Sequence, residues 1–118
     1  MIVDNSESVR GIVRKVLNQI GFTNVDEASD GADALSKLAE KNYGLILTDW
    51  NLEPMGGRAL LKTIRADKRH QNLPFIAMTA KQAINQVVQA KQAGVTSFIY
   101  KPFDAAALRA KLSEIKVD

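Results

Sequence analysis

The feature that most constrains the fold is a short apolar run, Leu45-Ile46-Leu47, that ends on an acid two positions later, at Asp49. Consecutive apolar residues over such a short length are typical of a strand that is buried on both faces, as in a parallel sheet covered by helices. Asp49 then lies where this strand leaves the sheet at its carboxyl edge. Open parallel sheets bind their ligands at that edge.

Three further apolar runs also end on polar residues. The runs are Ile2-Val3, Phe75-Ile76-Ala77-Met78 and Phe98-Ile99-Tyr100, and the polar residues that follow them are Asp4 with Asn5, Thr79, and Lys101. The carboxyl ends of neighbouring parallel strands meet at one edge of a sheet. The sequence therefore predicts that these four polar residues converge with Asp49.

Amphipathic stretches lie between the predicted strands. Ser6, Asp30 and Asp104 are the predicted N-caps of the first, second and fifth helices, and Gly21 and Gly94 are predicted to end the first and fourth. The residues predicted to face the core are Val9, Ile12, Val13, Val16, Leu17 and Ile20 in the first helix, Ala32, Leu35, Leu38 and Ala39 in the second, Leu60, Leu61 and Ile64 in the third, Ala83, Ile84, Val87, Val88 and Ala90 in the fourth, and Leu108, Leu112 and Ile115 in the fifth.

Strands and helices alternate along the whole chain. A short second strand is predicted at Val25, which completes a set of five strands and five helices. Because each parallel crossover needs a helix, this order predicts an α/β fold with helices on both faces of a doubly wound parallel sheet. A chain of 118 residues fits one domain with one core, so a single domain is predicted over 1–118.

Composition excludes several classes of protein. The chain has no cysteine, which removes disulfides and thiolate metal sites. No stretch approaches the roughly 20 apolar residues of a membrane span, and Met1-Ile2-Val3-Asp4 lacks signal-peptide character, so no membrane role and a cytoplasmic location are expected. The net charge of +3 is dispersed, with Lys68-Arg69-His70 the one cluster, which favours a solvated surface over nucleic-acid binding.

The polar residues at the predicted sheet edge suit phosphate chemistry. Asp4 and Asp49 offer hard oxygen ligands for Mg²⁺, and a carboxylate beside such an ion can act as a nucleophile towards phosphorus. Lys101 can neutralise a phosphoryl group, and the Thr79 hydroxyl can donate to it. Taken singly, each acid or threonine is more often a helix cap, and the lysine a surface lysine. Four strand ends that agree favour a site.

Four motifs, in order, resemble the receiver domain of two-component response regulators, and the likeness to the single-domain chemotaxis regulators (CheY-like) is close. The motifs are Val3-Asp4-Asn5-Ser6, Asp49-Trp50-Asn51-Leu52 with Gly56-Gly57, Met78-Thr79-Ala80, and Tyr100-Lys101-Pro102-Phe103. The resemblance covers essentially the whole chain. It implies a flavodoxin-like (βα)5 fold with strand order 2-1-3-4-5.

The same resemblance implies a function. Asp49 would accept a phosphoryl group from a sensor histidine kinase, with Mg²⁺ held by Asp4, Asn5, Asp49 and the backbone carbonyl of Asn51. Thr79 and Lys101 would contact the phosphoryl group, and the peptide before Pro102 would be cis. Thr79 and Phe98 would switch the face formed by the fourth helix, fifth strand and fifth helix, which a downstream protein partner reads in chemotaxis or phosphorelay signalling. The chain would be no enzyme beyond its own phosphorylation and dephosphorylation.

The chain departs from the family pattern at three places. Asn5 replaces a second acid, so the metal site loses one negative charge, and we expect a loss of roughly tenfold in Mg²⁺ affinity relative to an acid at this position. Glu53-Pro54 places the proline one position later than usual, which alters the loop. Phe98 occupies the aromatic switch position without a hydroxyl, so it cannot form a hydrogen bond in either state.

Three other interpretations stay open at this point. A phosphorylation-independent interaction module is favoured by the weakened metal site, and a chain without an attached output domain could also serve as a sink for phosphoryl groups. A phosphatase of the haloacid dehalogenase type combines the same residue types. That class needs Asp-x-Asp after the first strand, where this chain has Asp4-Asn5-Ser6.

Overall fold

The computed structural model describes residues 1–80 and 84–115, which form alternating strands and helices. The elements are β1 (Ile2–Val3), α1 (Glu7–Gln19), β2 (Glu27–Ala28), α2 (Gly31–Glu40), β3 (Ile46–Asp49), α3 (Gly57–Ala66), β4 (Phe75–Ala80), α4 (Ile84–Ala93), β5 (Ser97–Lys101) and α5 (Ala105–Ile115). A 3₁₀ turn, Lys68–His70, lies between α3 and β4. The alternation predicted from the sequence is confirmed.

The strands form one parallel sheet in the order β2-β1-β3-β4-β5. In the register of neighbouring strands, Val3 pairs with Thr48, and Asp49 pairs with Met78. All strands therefore point the same way, and their carboxyl ends lie at one edge. This is the predicted flavodoxin-like arrangement.

Apolar side chains cover both faces of the sheet. Alternate strand residues such as Ile46 and Leu47 point to opposite faces, as the pleat requires, and both are fully buried. One face packs against α2, α3 and α4 through Ala34, Leu38, Leu60, Leu61, Ile64 and Ala90. The other packs against α1 and α5 through Val13, Val16, Leu17, Leu108 and Leu112. The central strand is buried on both sides, as its apolar run predicts.

The helix ends follow the predicted caps. The side chains of Ser6, Asp30 and Asp104 each accept a hydrogen bond from the backbone N–H three residues later. Gly21 has φ +101° and Gly94 has φ +96°, a backbone conformation that favours glycine and ends a helix. None of the helices in the described ranges has the length and hydropathy needed to cross a bilayer.

Some of the predicted inward positions are wrong. Ile12 is 58% exposed and Val88 is 48% exposed, and Ala32 and Ala39 are also exposed. Each lies about a quarter turn or more from the centre of its buried stripe, because one residue step is about 100°. In α2 the inward small residue is Ala34, which is fully buried.

The second strand is Glu27–Ala28, two residues after the predicted Val25, because the pairing of β2 with β1 begins at Glu27. Ala83 lies outside the described residues, as does the side chain of Ile84, and the inward positions predicted for them stay predictions.

Candidate functional site

Three charged side chains meet at the carboxyl edge of the sheet. The Nζ atom of Lys101, at the end of β5, lies 3.3 Å from Oδ2 of Asp4 and 3.4 Å from Oδ1 of Asp49. Lys101 reaches across β4 to do so, which its long flexible side chain permits. The structure thus brings together three of the five residues that the strand ends predict.

Both oxygens of the buried Asp4 carboxylate accept a hydrogen bond. Asp4 is 3% exposed. Its Oδ1 atom accepts a hydrogen bond from the backbone N–H of Ser6 at 2.9 Å, and its Oδ2 atom accepts one from Lys101. A buried charge requires such partners, and two neighbouring carboxylates also repel each other. Lys101 offsets both effects at once, because it lies between Asp4 and Asp49.

Thr79 is the fourth member of this group. It lies in β4, one residue beyond the residue that pairs with Asp49, and it is fully buried. Within residues 1–80 and 84–115, no atom forms a hydrogen bond with its Oγ1. A buried hydroxyl without a partner costs about 1–3 kcal/mol. An anionic oxygen bound beside Asp49 would supply the missing acceptor. We refer to Asp4, Asp49, Thr79 and Lys101 as the carboxyl-edge site.

The β3–α3 loop, residues 50–56, covers one side of this site. Its residue Asn51 donates a backbone N–H to Oδ1 of Asp49 at 3.3 Å, and the Nε2 of Gln86 in α4 donates to Oδ1 of Asn51 at 2.6 Å. The peptides before Pro54 and Pro102 are both cis, the second as the family resemblance implies.

Trp50 fixes the start of the loop in the core. It is 5% exposed, and its carbonyl accepts the backbone N–H of Gly57 at 3.0 Å. A Cβ atom at Gly57 would lie 2.9 Å from the Cα of Trp50, closer than real Cβ contacts permit. The glycine is therefore required by the close approach of Trp50, which sets where the loop leaves β3.

Asn5 lies at the rim of the site and is exposed. Its Nδ2 donates to the carbonyls of Ser29 and Glu53, at 2.9 Å each, and its Oδ1 accepts from the N–H of Glu53 at 3.0 Å. The structure therefore places the Asn5 amide against two loops. Its role as a metal ligand stays a prediction, and one lone pair of Oδ1 is already used.

Arg10 in α1 is a contributor to the site that the sequence did not reveal. Its Nη1 donates to the backbone carbonyl of Asp4 at 2.6 Å, and its Nε donates to Glu27 at 3.0 Å. Arg14 also pairs with Glu27, at 2.7 Å. Hydrogen bonds from these two arginines lower the pKa of Glu27, and the bond from Arg14 has the larger effect. These contacts tie β2 and α1 to the backbone that carries Asp4.

The oxygen atoms of the site fit Mg²⁺ better than a softer metal. The carboxylate of Asp49 lies beside the backbone of Asn51 and shares Lys101 with the carboxylate of Asp4. Oxygen ligands of this kind with retained waters are typical for Mg²⁺. Within residues 1–80 and 84–115, no three acidic or histidine side chains form a metal cluster. An ion here would therefore depend on backbone, water or phosphate oxygens for its remaining ligands.

Phe98 lies on the surface formed by α4, β5 and α5. Its partly buried ring has the ammonium of Lys91, from α4, at 5.1 Å and that of Lys111, from α5, at 4.8 Å from its centroid. The ring also meets Tyr100 edge-to-face at a centroid distance of 5.4 Å. Such cation–π contacts each contribute about 0.5–1 kcal/mol at exposed sites. The ring thus links the two helices that flank β5.

Comparison with known proteins defines the class. Residues 1–113 match the response regulator receiver domain, and the chain belongs to this family.

The chain is 44% identical over 115 residues to the chemotaxis protein CheY-3 of Vibrio cholerae, covering 98% of this chain and 88% of that protein. The solved structure of the chemotaxis response regulator CheY4 of Vibrio cholerae superposes with a TM-score of 0.86 at 28% identity, over 97% of this chain and 94% of that one. A second solved structure is the receiver domain of a sensor histidine kinase from Pseudomonas aeruginosa, with a magnesium ion coordinated in the active site cleft. It superposes with a TM-score of 0.85 at 27% identity, over 98% of this chain and 94% of that one. The chain is thus a receiver similar to chemotaxis regulators.

Proposed function

We propose that this receiver accepts a phosphoryl group on Asp49 from a sensor histidine kinase, with Mg²⁺ bound, and that the phosphorylated form presents a changed α4-β5-α5 face to a downstream protein. The observation that carries this proposal is the geometry at the end of the central strand. Asp49 has Lys101 at 3.4 Å, and the buried hydroxyl of Thr79, on the neighbouring strand, has no hydrogen-bond partner among the residues that the structure describes.

The chemistry uses groups that are already in place. A bond forms between an oxygen of Asp49 and phosphorus, while the bond from phosphorus to the histidine nitrogen of the kinase breaks and its electron pair stays on that nitrogen. Lys101 neutralises charge on the phosphoryl oxygens, and Thr79 donates a hydrogen bond to one of them.

A bound Mg²⁺ would supply further positive charge to the phosphoryl oxygens. Asp4, Asp49, the backbone carbonyl of Asn51 and the remaining lone pair of Asn5 would hold it. The structurally similar receiver domain from Pseudomonas aeruginosa, solved with magnesium in its active site cleft, supports this assignment.

The signal would pass through the pairing of β4 with β5. Thr79 pairs with Tyr100, and Ala77 with Phe98. If Thr79 turns towards a phosphoryl group on Asp49, the space that its side chain occupied beside β5 becomes free. The Phe98 ring, which has Lys91 and Lys111 as neighbours, can then change its position. A partner can read this change only if it binds the two states with different free energies.

One alternative retains support from the structure. A phosphorylation-independent interaction module is consistent with the pairing of Lys101 with both carboxylates and with Asn5 replacing an acid. In both cases the chain would convert no separate substrate. Labelling separates the two functions: incubation with acetyl phosphate and millimolar Mg²⁺ should add one phosphoryl group by intact mass. A chain that stays unlabelled with acetyl phosphate and with candidate kinases would support the interaction module.

A further inference from the structure

The side chain of Asn5 uses both of its amide N–H groups and its oxygen to connect three loops. It belongs to the segment after β1, it donates to the carbonyl of Ser29 in the segment after β2, and it exchanges two hydrogen bonds with Glu53 in the β3–α3 loop. Glu53 is 48 positions away in the sequence. The amide of Asn5 thus pairs with the peptide of Glu53 as a strand would.

This arrangement specifies the residue type. Two carbonyl oxygens face Nδ2, so the position needs two donors, and one N–H faces Oδ1, so it needs one acceptor. An asparagine amide supplies both. An aspartate would keep the acceptor, lose both donors, and place negative charge against the carbonyls of Ser29 and Glu53.

The β3–α3 loop depends on such outside contacts. Gln86 holds Asn51 from α4, and Asn5 holds Glu53 from the segment after β1. The backbone carbonyl of Asn51, the predicted Mg²⁺ ligand, lies between these two attachments along the chain. Loss of the hydrogen bonds to Glu53 would therefore make the position of the Asn51 carbonyl less fixed.

We propose that Asn5 is a positioning residue that holds the β3–α3 loop over the carboxyl-edge site by pairing with the Glu53 peptide. The proposal rests on the proposed function for its effect on phosphorylation, whereas the holding of the loop is independent of it. It revises the expectation from sequence, where an acid at position 5 adds only a charge. Asn5→Asp adds that charge and removes two hydrogen bonds from the loop.

Hydrogen exchange tests the loop contact directly. Wild type, Asn5→Asp and Asn5→Ala are compared by mass spectrometry in EDTA, with Asn72→Asp as the charge control, since Asn72 is exposed and precedes β4 at the opposite sheet edge. Residues 50–56 should exchange about tenfold faster in both Asn5 variants, because each loses at least two hydrogen bonds. The control should match wild type. Wild-type exchange of this segment in Asn5→Asp would overturn the proposal.

A second measurement separates positioning from general stability. The rate of labelling by acetyl phosphate at saturating Mg²⁺ should fall at least fivefold in both Asn5 variants, with melting temperatures close to wild type. Faster labelling in Asn5→Asp with slower labelling in Asn5→Ala would assign Asn5 to the metal alone and contradict the positioning role. If wild type itself takes no label, the proposed function fails, and the exchange measurement still decides whether Asn5 holds the loop.

Discussion

Lys101 and Asp49 form an ion pair at 3.4 Å although β4 lies between their strands. The same ammonium is 3.3 Å from Asp4. One lysine therefore pairs with two acids and leaves one negative charge unbalanced, so any cation that bound to these carboxylates would have to compete with Lys101.

Removing the lysine charge should cost stability. Lys101→Met keeps most of the side-chain volume but, among the described residues, leaves the Ser6 N–H as the one partner of the buried Asp4 carboxylate. We therefore expect a loss of about 1–3 kcal/mol in the free energy of unfolding. Urea unfolding at pH 7 measures it. The control is Lys62→Met, an exposed lysine on α3, which should stay within about 0.5 kcal/mol of wild type. Equal stability of Lys101→Met and wild type would contradict the assigned role of Lys101.

Asp49→Asn should abolish labelling by acetyl phosphate, because an amide is not a nucleophile of the required kind. Intact mass spectrometry after incubation with Mg²⁺ measures the added phosphoryl group. Glu114→Gln, on the exposed surface of α5, is the matched control and should label as wild type does. Full labelling of the Asn variant would remove Asp49 as the acceptor.

Thr79→Val should stabilise the unphosphorylated protein by about 1 kcal/mol, because valine has the same shape and removes a buried hydroxyl that forms no hydrogen bond with the described part of the chain. The variant should still be phosphorylated on Asp49. On phosphorylation, however, the NMR chemical shifts of residues on the α4-β5-α5 face should change less than in wild type. Thermal melts measure the stability, and NMR spectra recorded before and after labelling with acetyl phosphate measure the change on the face. Thr63→Val is the control, since its hydroxyl is bonded to Ala59 on an exposed face. A clear loss of stability in Thr79→Val would mean that the hydroxyl is satisfied.

Glu27→Gln should lower stability at neutral pH by no more than about 1 kcal/mol, because the carboxylate is partly exposed. Arg14 and Arg10 hold the pKa of Glu27 below its ordinary value of about 4.3. A lowered pKa stabilises the fold above the ordinary value, and this contribution is lost as the pH falls through the folded pKa. The stability gap between wild type and variant should therefore close below about pH 4.3 in urea titrations. A gap that is constant from pH 7 to pH 3 would exclude the ion pairs as its cause.

Gly57→Ala should destabilise the protein by about 1–3 kcal/mol and shift the emission of Trp50, because the new Cβ would lie 2.9 Å from Trp50 Cα. Fluorescence-detected unfolding measures both effects. Gly56→Ala is the control, since no atom in residues 1–80 or 84–115 lies within 4 Å of a Cβ at that position. If the two variants unfold alike, the close contact between Gly57 and Trp50 is not rigid.

The sequence predicted most of what its local chemistry determines. Buried strands such as Ile46–Asp49, and caps such as Ser6 and Asp104, follow from apolar runs and from side chains that bond within three residues. The exposed Ile12 shows the limit of this reasoning, because periodicity marks an apolar stripe without marking its centre.

The contacts of Asn5 and Arg10 could not be predicted in the same way. Asn5 bonds to backbone atoms of Ser29 and Glu53, and Arg10 to the backbone of Asp4. Backbone atoms are the same at every residue, so nothing in the sequence distinguishes them as partners. Only the folded geometry selects them.

The pairing of Asp4 with Lys101 also bears on the order of folding, since 97 positions separate the two residues. Closing so long a loop has an entropic cost that must be met before the contact forms, and parallel sheets fold slowly for this reason. During synthesis, the carboxylate of Asp4 leaves the ribosome long before the cation that will neutralise it. The carboxyl-edge site is therefore complete only after β5 has joined the sheet, and in a nascent chain that stops short of Lys101 the carboxylate of Asp4 lacks its cation.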